Sequence, residues 1–303
     1  MPWVVGIDEA GYGPNLGPLV QSAVALRLPD DDPGGWRHLA PHVRRCGEAD
    51  DGRVLVDDSK LVYAGKNGLA RLERGLAATV GLAAGPLAGW LSAVTTEHVL
   101  ADLAGECWFD GAELLPLHPD PPACLGLDAK LLGVRLVPAP VFNKIVAGSG
   151  SKATVLTVGL TNLLAAVREA LPPGEPVLVV CDKHGGRNCY APLLQGAFHD
   201  GWVMTEIEGA DESRYRVESL DRELRVVFRP RADADSAAVA LASMACKYVR
   251  EVCMRQFNRF WLRHVPDLKP TAGYPGDATR FLAAIRDVAA QLGLTERQVW
   301  RCR

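Results

Sequence analysis

The sequence lacks the long apolar runs and the excess of one charge that would assign a membrane or a nucleic-acid partner at once. No apolar run among its 303 residues is long enough to span a bilayer. The net charge is −3, so any nucleic-acid binding must depend on local basic patches. With 48% hydrophobic residues the chain can still bury a sizeable core, and we expect a soluble globular protein.

Paired cysteine motifs and a secretory signal are also missing. The eight cysteines are scattered, and no two of them form a CxxC pair. This pattern is typical of reduced cytosolic thiols rather than of a disulfide framework or a zinc site. The start of the sequence has no basic segment followed by an apolar stretch, so we do not expect secretion. These features predict a cytoplasmic protein.

What the sequence does have at its start is an apolar stretch that ends in two acids. Residues 4–7 have the pattern of a buried strand, Asp8 and Glu9 follow, and Gly11 and Gly13 form a turn. Neighbouring strand residues point to opposite faces, so both acids share one site only if the chain bends directly after them. Two adjacent carboxylates repel each other unless protons or a cation intervene. The alternative is a surface turn whose acids are solvated.

Further acids occur at comparable points of the chain. The continuous apolar run 176–181 predicts a central strand covered on both faces, and it ends in Asp182. Asp233 and Asp235 precede a helix predicted over about 237–264, whose first half is rich in alanine and serine. Carboxylates suit Mg²⁺, and two such ions about 3.5–4 Å apart can activate a water for in-line attack on a phosphodiester. Each acid alone could be a helix cap or a surface group, and the combination favours a metal site.

The remaining pattern alternates strands with helices. We predict strands at 19–28, 90–96, 132–137, 202–207, 213–218 and 223–228, the last two as a hairpin, and helices at about 69–80 and 152–171. Asp58 or Ser59 can cap the first of these helices. We interpret residues 105–140, rich in proline and leucine, as an insertion. The second half of the 237–264 helix has a basic face, which is usually solvated surface, formed by Lys247, Arg255, Arg259 and Arg263.

Four blocks of the sequence resemble the ribonuclease HII (type 2 ribonuclease H) family, as a divergent member. Its opening DEAGRGP…GPV resembles Gly6-Ile7-Asp8-Glu9-Ala10-Gly11-Tyr12-Gly13-Pro14 with Gly17-Pro18-Leu19-Val20, and its DSK resembles Asp58-Ser59-Lys60. Its third acid resembles Asp182 after an apolar strand, and its DAKS…ASILAKVTRD helix resembles residues 233–236 with 242–251. Residues 273–275 resemble its GY block. The resemblance spans nearly the whole chain, apart from 105–140 and the hairpin before Asp233.

The resemblance implies an α/β fold, with a ribonuclease H-like mixed β-sheet flanked by helices and a helical C-terminal part at about 265–303. It implies one catalytic domain over 1–303. We expect the protein to be monomeric and not to associate with a membrane. The implied activity is endonucleolytic hydrolysis of the RNA strand of RNA/DNA hybrids, or of ribonucleotides embedded in duplex DNA, by two-metal in-line attack of water. The implied cofactor is Mg²⁺ or Mn²⁺.

The family's site residues carry over position by position. The metal-binding and catalytic acids would be Asp8, Glu9, Asp182 and Asp233, and counting back from Ser243 selects Asp233 over Asp235. Substrate binding would involve Gly11, Tyr12, Gly13, Lys60, Lys247, Arg250 and Tyr274. Of these, the two lysines and the arginine would face the phosphate backbone or brace the site, and the alternative is plain surface or structural ion pairs.

The sequence departs from the family where the ribonucleotide is read. Tyr12 stands in place of the family arginine that helps to read the sugar-phosphate, Lys183 follows Asp182 in place of glycine, and Pro275 follows Tyr274. Because recognition of the 2′-hydroxyl separates RNA from DNA, a related nuclease acting on DNA or branched nucleic acid is an alternative. A sugar-kinase-like ATPase also begins with a Gly-Ile-Asp strand, but a second glycine-rich phosphate turn is missing. A catalytically inactive nucleic-acid-binding protein is disfavoured because all four acids are present.

Overall fold

The computed structural model describes residues 1–302, and a seven-stranded mixed sheet organises that part of the chain. The strands are β1 (Trp3–Ala10), β2 (Leu19–Arg27), β3 (Val43–Arg44), β4 (Val54–Leu55), β5 (Gly85–Pro86), β6 (Leu114–Leu115), β7 (Ala129–Val137), β8 (Val177–Asp182), β9 (Trp202–Glu208), β10 (Ser213–Glu218) and β11 (Leu224–Arg229). The order in the main sheet is β7, β2, β1, β8, β11, β10, β9, while β3 with β4 and β5 with β6 form two small separate pairs.

Helices flank this sheet and form the C-terminal part. They are α1 (Trp36–Leu39), α2 (Ser59–Tyr63), α3 (Gly68–Thr79), α4 (Leu87–Ser92), α5 (Glu97–Ala104), α6 (Ala139–Ser149), α7 (Ala153–Ala170), α8 (Ala191–Ala197), α9 (Ala232–Asp235), α10 (Ala237–His264), α11 (Pro275–Gln291) and α12 (Glu296–Val299). Within residues 1–302 no single helix has the length and apolarity of a membrane span, although the bent pair α6 and α7 meets that measure jointly.

The parallel strands at the centre of the sheet determine where the acids meet. β1 pairs in parallel with β8, with Ile7 opposite Cys181, and β8 pairs in parallel with β11, with Asp182 opposite Arg229. The carboxyl ends of β1, β8 and β11 therefore lie side by side at the same end of the sheet. In α/β folds ligands bind at the carboxyl ends of the strands.

Two apolar layers hold the central strands between helices. On one face, Val4 and Val180 pack in the cluster that contains the first half of α10. On the other face, Val5 and Ile7 pack in the cluster that contains α7 and α8. Residues 3–7 of β1 are all buried, and because successive strand side chains point to opposite faces, this apolar run serves both layers. Gly6 faces α10 at a very short distance, because an added Cβ would lie 2.1 Å from the backbone of Ala238.

Most predicted elements are confirmed, and one is wrong. The strands predicted at 19–28, 202–207, 213–218 and 223–228 correspond to β2, β9, β10 and β11, and the helices at 69–80, 152–171 and 237–264 correspond to α3, α7 and α10. The strand predicted at 90–96 is wrong, because Leu87–Ser92 is helix α4. Its buried residues Leu87, Trp90 and Leu91 are three and four positions apart, which is helical spacing.

Residues 105–140, interpreted as an insertion, belong in part to the main sheet. β7 is an edge strand that pairs with β2 along its length, and it begins three residues before the predicted strand at 132–137. The loop before it is tied to the core by the buried carboxylate of Glu73, which accepts hydrogen bonds from the backbone N–H of Leu117 at 2.7 Å and of His118 at 2.8 Å. The hydroxyl of Tyr248 on α10 donates to the same carboxylate at 2.6 Å.

We predict that Gly6→Ala lowers the free energy of unfolding by roughly 1–3 kcal/mol, because its methyl group has no room between β1 and α10. The measurement is urea unfolding at equilibrium. The matched control is Gly276→Ala in the first turn of α11, where an added Cβ meets no atom within 4 Å, and we expect no loss of stability and a gain of at most about 1 kcal/mol. Equal unfolding midpoints for the two variants would contradict the close packing of β1 on α10.

Candidate active site

Three distant segments bring four carboxylates to one pocket of about 160 Å³. Asp8 and Glu9 come from the end of β1, Asp182 from the end of β8, and Asp233 from the single turn of α9. The other lining residues are Ala10, Gly11, Ser59, Lys60, Ser243, Lys247, Arg250 and Tyr274. Tyr12 and Gly13 are the two proposed site residues that do not line this pocket.

The chain does not bend directly after the two adjacent acids. β1 continues through Ala10, and the bend comes at Gly11, whose φ is +89°. An added Cβ at Gly11 would lie 2.4 Å from Nε of Arg250 and 2.8 Å from the carbonyl oxygen of Pro18. This position therefore needs glycine both for its left-handed backbone and for space. Asp8, Glu9 and Ala10 nevertheless all line the same pocket, although β1 runs on through Ala10.

The pocket is electrostatically strained by its own acids. Burial is the largest of the effects that together raise the pKa of Asp8 to about 7; the charges of Asp182 and Asp233 act in the same direction, and Ser243 opposes them. Burial raises the pKa of Glu9 to about 8, and the charges of Asp8 and Asp182 act in the same direction, while Lys60 opposes them. Carboxylates that crowd in this way need protons or a cation to share the site.

Asp233 is under the same influence from a further acid. Burial raises its pKa, and the charges of Asp58 and Asp182 add to the effect. Asp58 caps α2, because its carboxylate accepts a hydrogen bond from the backbone N–H of Lys60 at 2.8 Å. The cap was predicted for the helix at 69–80, and this is wrong: Asp58 caps the separate short helix α2, while α3 begins after Asn67 without a side-chain cap. The proximity of Asp58 to the acid pocket was not predicted from the sequence.

The donor set fits a hard divalent cation in its chemistry. All four side chains offer carboxylate oxygens, which are the ligands that Mg²⁺ and Mn²⁺ take in proteins. Within residues 1–302, however, no three histidine, cysteine, aspartate or glutamate side chains are already grouped as a finished metal site. The acids are close enough to raise one another's pKa, yet they have not converged on one point.

The structure separates Asp233 from Asp235. Asp235 is exposed and lines a different, larger cleft of about 860 Å³, on the other side of α9, together with Asp30, Gly34 and Arg229. The one-turn helix α9 causes this separation. Asp182 fixes that turn, because its Oδ1 accepts a hydrogen bond from the backbone N–H of Ala232 at 3.4 Å.

Two serines complete the floor of the pocket and were missed as site residues. The hydroxyl of Ser243 on α10 donates to the hydroxyl oxygen of Ser59 on α2 at 2.9 Å, and both side chains are buried. Ser243 also lies beside the carboxylate of Asp8 and lowers its pKa, against the effect of burial. The signal in the sequence was their presence in two of the blocks that carry the family resemblance.

The basic side chains at the pocket differ in their surroundings. Lys60 is exposed. Lys247 lies over the ring of Tyr63, and its Nζ is 2.7 Å from a carboxylate oxygen of Glu251. Arg250 is only 1% exposed, and its Nη2 donates to the carbonyl oxygen of Ala272 at 3.0 Å. Of the two roles considered for Arg250, its contacts are those of a brace.

The aromatic residues lie at the rim. Tyr274 is 53% exposed, and one of its ring carbons is 4.0 Å from the position of a Cβ at Gly13. The ring of Tyr12 packs against the small apolar cluster that contains Leu19 and Phe142, and the Nζ of Lys152 lies 4.2 Å from its centroid. Burial raises the pKa of Tyr12, and the charge of Glu9 adds to this effect.

Lys183 and the basic face of α10, whose roles could not be assigned from the sequence, form hydrogen bonds or ion pairs within the protein. Lys183, which follows the acid of β8, is buried, and its Nζ donates to Oδ1 of Asn188 at 2.8 Å. On the basic face of α10, Nη1 of Arg259 lies 2.9 Å from a carboxylate oxygen of Glu113, and Arg255 lies 4.0 Å from it. Acids of the 105–140 segment therefore neutralise part of the face that was considered for the duplex.

Comparison with known proteins identifies the fold. No family model and no curated protein matches the sequence. Bst ribonuclease HIII in complex with Mn²⁺ is similar in structure, with 16% identity over 99% of this chain and 66% of that chain and a TM-score of 0.51, and a point mutant of that enzyme gives the same values. The chain has a ribonuclease H-like fold. A ribonuclease H2 from Pyrococcus horikoshii OT3 has 16% identity over 98% of this chain and 92% of that chain, with a TM-score of 0.49.

The fold predicted from the sequence is thereby confirmed. The mixed sheet, the flanking helices and the helical C-terminal part are those of the ribonuclease HIII structure. At 16% identity the similarity extends to the fold alone. The roles of the individual pocket residues stay predictions.

We predict that Mn²⁺ raises the melting temperature of the metal-free protein, because binding to the folded state alone stabilises it, by about 2.7 kcal/mol at one hundred times the Kd. Asp8→Asn removes one of the crowded carboxylates, so we expect a much smaller shift. Asp235→Asn is the matched control and should keep the shift of the parent, because its carboxylate lies outside the pocket. Equal shifts for Asp8→Asn and the parent would contradict the donor set.

Proposed function

We propose that this protein is a divalent-metal-dependent endonuclease that hydrolyses the RNA strand of RNA/DNA hybrids, or ribonucleotides embedded in duplex DNA. The observation that carries the proposal is the meeting of four carboxylates from three distant segments in one small pocket with a lysine at its edge. The ribonuclease H-like fold, shared with a ribonuclease HIII that was solved with Mn²⁺, supports it.

The metal-binding side chains in this proposal are Asp8, Glu9, Asp182 and Asp233. A Mg²⁺ or Mn²⁺ pair, when bound, supplies an activated water and stabilises the leaving oxygen of the phosphodiester. The chain's own part is to place the four carboxylates. β1 and β8 hold three of them at the ends of paired parallel strands, and α9 holds Asp233. The hydroxyl of Ser243, beside the carboxylate of Asp8, favours its ionised form.

The cations of the pocket serve the phosphate backbone in this proposal. The ammonium group of Lys60 is exposed beside the acids, and it favours the ionised form of Glu9. Lys247 forms an ion pair with Glu251, so its contribution to phosphate binding is smaller than that of Lys60. Arg250 acts through the backbone segments that it braces, at Leu16 and Ala272, rather than by touching the substrate. A phosphate held near Lys60 would lie over the carboxylates.

The choice of substrate depends on the residues at the rim. Gly11, Tyr12 and Gly13 follow the acids of β1, and Tyr274 offers an exposed ring beside them. Bases and sugars of a nucleic-acid strand stack well on such rings. The ammonium group of Lys152 lies over the ring of Tyr12, which places a positive charge near the family's arginine position. The replacement of the family arginine by Tyr12 is the observation that favours a related nuclease acting on DNA or branched nucleic acid as the second candidate function.

The experiment is cleavage of matched labelled duplexes with Mg²⁺ or Mn²⁺, in which one is all DNA, one contains a single ribonucleotide, and one is a long RNA/DNA hybrid. We predict that only the ribonucleotide-containing strands are cut. We predict that Asp8→Asn and Asp233→Asn abolish cleavage, because each removes a proposed metal ligand. Asp235→Asn should cut like the parent, since Asp235 lies in the other cleft.

Other outcomes assign the protein differently. Cutting of the all-DNA or a branched duplex with the same loss in Asp8→Asn would favour the second candidate function. Binding of duplexes with no cutting under either metal would indicate a catalytically inactive binding protein, and ATP hydrolysis without nucleic acid would indicate the ATPase. Full activity of Asp8→Asn would contradict the proposal.

A further inference from the structure

The end of the described chain returns to the glycine-rich turn that follows the acids of β1. The backbone N–H of Arg301 donates to the carbonyl oxygen of Asn15 at 2.9 Å, and Nδ2 of Asn15 donates to the carbonyl oxygen of Arg301 at 3.1 Å. This reciprocal pair joins residues 286 positions apart in the sequence. The turn of residues 11–17 is therefore fixed by a segment that is remote from the proposed site residues.

The side chain of Arg301 contacts the same turn. It is only 1% exposed, its Nη2 donates to the carbonyl oxygen of Pro14, and its guanidinium carbon lies 5.0 Å from the centroid of the Phe142 ring. Its Nε and Nη1 are buried without a hydrogen-bond partner within residues 1–302. Burial lowers the pKa of Arg301 to about 9, and the charge of Arg250 acts in the same direction.

A buried guanidinium with unmatched donors is costly for folding. An apolar side chain of similar volume would fill the space beside Phe142 without that cost, and replacing buried charges in this way is often neutral or stabilising. What an apolar side chain could not supply is the hydrogen bond to the carbonyl oxygen of Pro14. The hydrogen bond to Pro14 is therefore what distinguishes Arg301 from an apolar residue at this position.

The tail that carries Arg301 is held from its other side by α6. Nδ2 of Asn143 donates to the carbonyl oxygens of Arg297 and Trp300, both at 2.8 Å, and its Oδ1 accepts a hydrogen bond from the backbone N–H of Cys302 at 2.7 Å. The amide of one buried side chain thus fixes the backbone on both sides of Arg301. Because α6 fixes the backbone on both sides of Arg301, the side chain of Arg301 can hold the turn in place.

A second support acts on the opposite side of the turn. The backbone N–H groups of Asn15 and Leu16 donate to the carbonyl oxygen of Gly273, at 2.7 Å and 3.3 Å. Gly273 has a φ of +83° and directly precedes Tyr274, the exposed ring at the rim of the pocket. The turn of residues 11–17 is thus clamped between Gly273 and Arg301. A shift of the turn would move Tyr12 and Gly13 relative to Tyr274.

We propose that Arg301 is a positioning residue of the active site, which holds the turn of residues 11–17 at the distance from Tyr274 that a nucleic-acid strand requires. The inference rests on the proposed function for its catalytic consequence. Arg301 acts through Pro14 and Asn15, and it does not itself touch the substrate. Its loss should impair substrate binding more than the chemical step, because no residue of the tail is among those that line the carboxylate pocket.

The experiment compares Arg301→Ala with Arg297→Ala, a matched control whose exposed side chain lies one turn earlier in the tail. We expect Arg301→Ala to raise KM by at least about ten-fold, the effect of losing one hydrogen bond from a charged donor, and to change kcat much less. We expect millimolar guanidinium to restore part of this loss. Hydrogen exchange should accelerate at the N–H groups of residues 11–17, and Arg297→Ala should behave like the parent in every reading.

The outcomes decide the two proposals separately. Faster exchange confined to residues 11–17, with rescue by guanidinium, supports the positioning role. Unchanged exchange and KM in Arg301→Ala, or a uniform acceleration over the whole chain without rescue, overturns it. If Arg301→Ala does not fold, Asn143→Ala decides by hydrogen exchange and KM alone, because it releases the tail without altering the turn: faster exchange at residues 11–17 with a raised KM supports the role, and no change in either overturns it. If the parent cuts no duplex, the proposed function fails, while the exchange result still decides the clamp.

Discussion

The close contact between β1 and the first turns of α10 is the constraint on which the rest of the site depends. At Gly6 the helix backbone comes so near that a Cβ would lie 2.1 Å from the carbonyl carbon of Ala238. Further along, the hydroxyl of Ser22 on β2 donates to the carbonyl oxygen of Ala242 at 2.9 Å, and Sγ of Cys246 donates to that of Asp8 at 3.1 Å. Small residues therefore seat the helix directly over the acidic strand end.

The packing of β1 against α10 brings carboxylates together against their electrostatic repulsion, and the two apolar layers maintain this arrangement. The same contact that places Ser243 beside Asp8 also buries that carboxylate and brings it near two others. Burying charges without partners costs several kcal/mol per ion, so the site is destabilised until protons or a cation join it. The two hydrophobic layers around β1 and β8 supply the rigidity that keeps the acids together. A site strained in this way is typical of functional positions rather than of solvated surface.

The sequence was most informative where regular patterns are long. Asp8 and Asp182 were found because each ends an apolar run of strand length, and parallel pairing brings such ends together. The bounds of α10 agreed with the prediction because 28 residues of helical spacing leave little freedom. Short elements were less well defined, since the apolar residues of α4 fit a strand as well as one helical turn.

Contacts between distant segments could not be predicted from the sequence. Nothing near Glu113 indicates that it would neutralise Arg259, because the two are 146 positions apart. The clamp of Arg301 on Pro14 is equally remote, with 287 positions between the partners. The separation of Asp233 from Asp235 depends on the one turn of α9, which has no periodicity to detect. Such features follow from tertiary packing rather than from local propensity.

The most direct test of the central claim, that four carboxylates act as one divalent-metal site, is a crystal structure of the protein soaked with Mn²⁺, with anomalous diffraction to locate the ion. The account predicts Mn²⁺ in the pocket, within about 2.0–2.6 Å of oxygens from Asp8 and Asp182, with Glu9 or Asp233 completing the ligands. Mn²⁺ bound at Asp235 alone, or absent from the pocket in crystals of a protein that cuts its duplex with Mn²⁺, would contradict it.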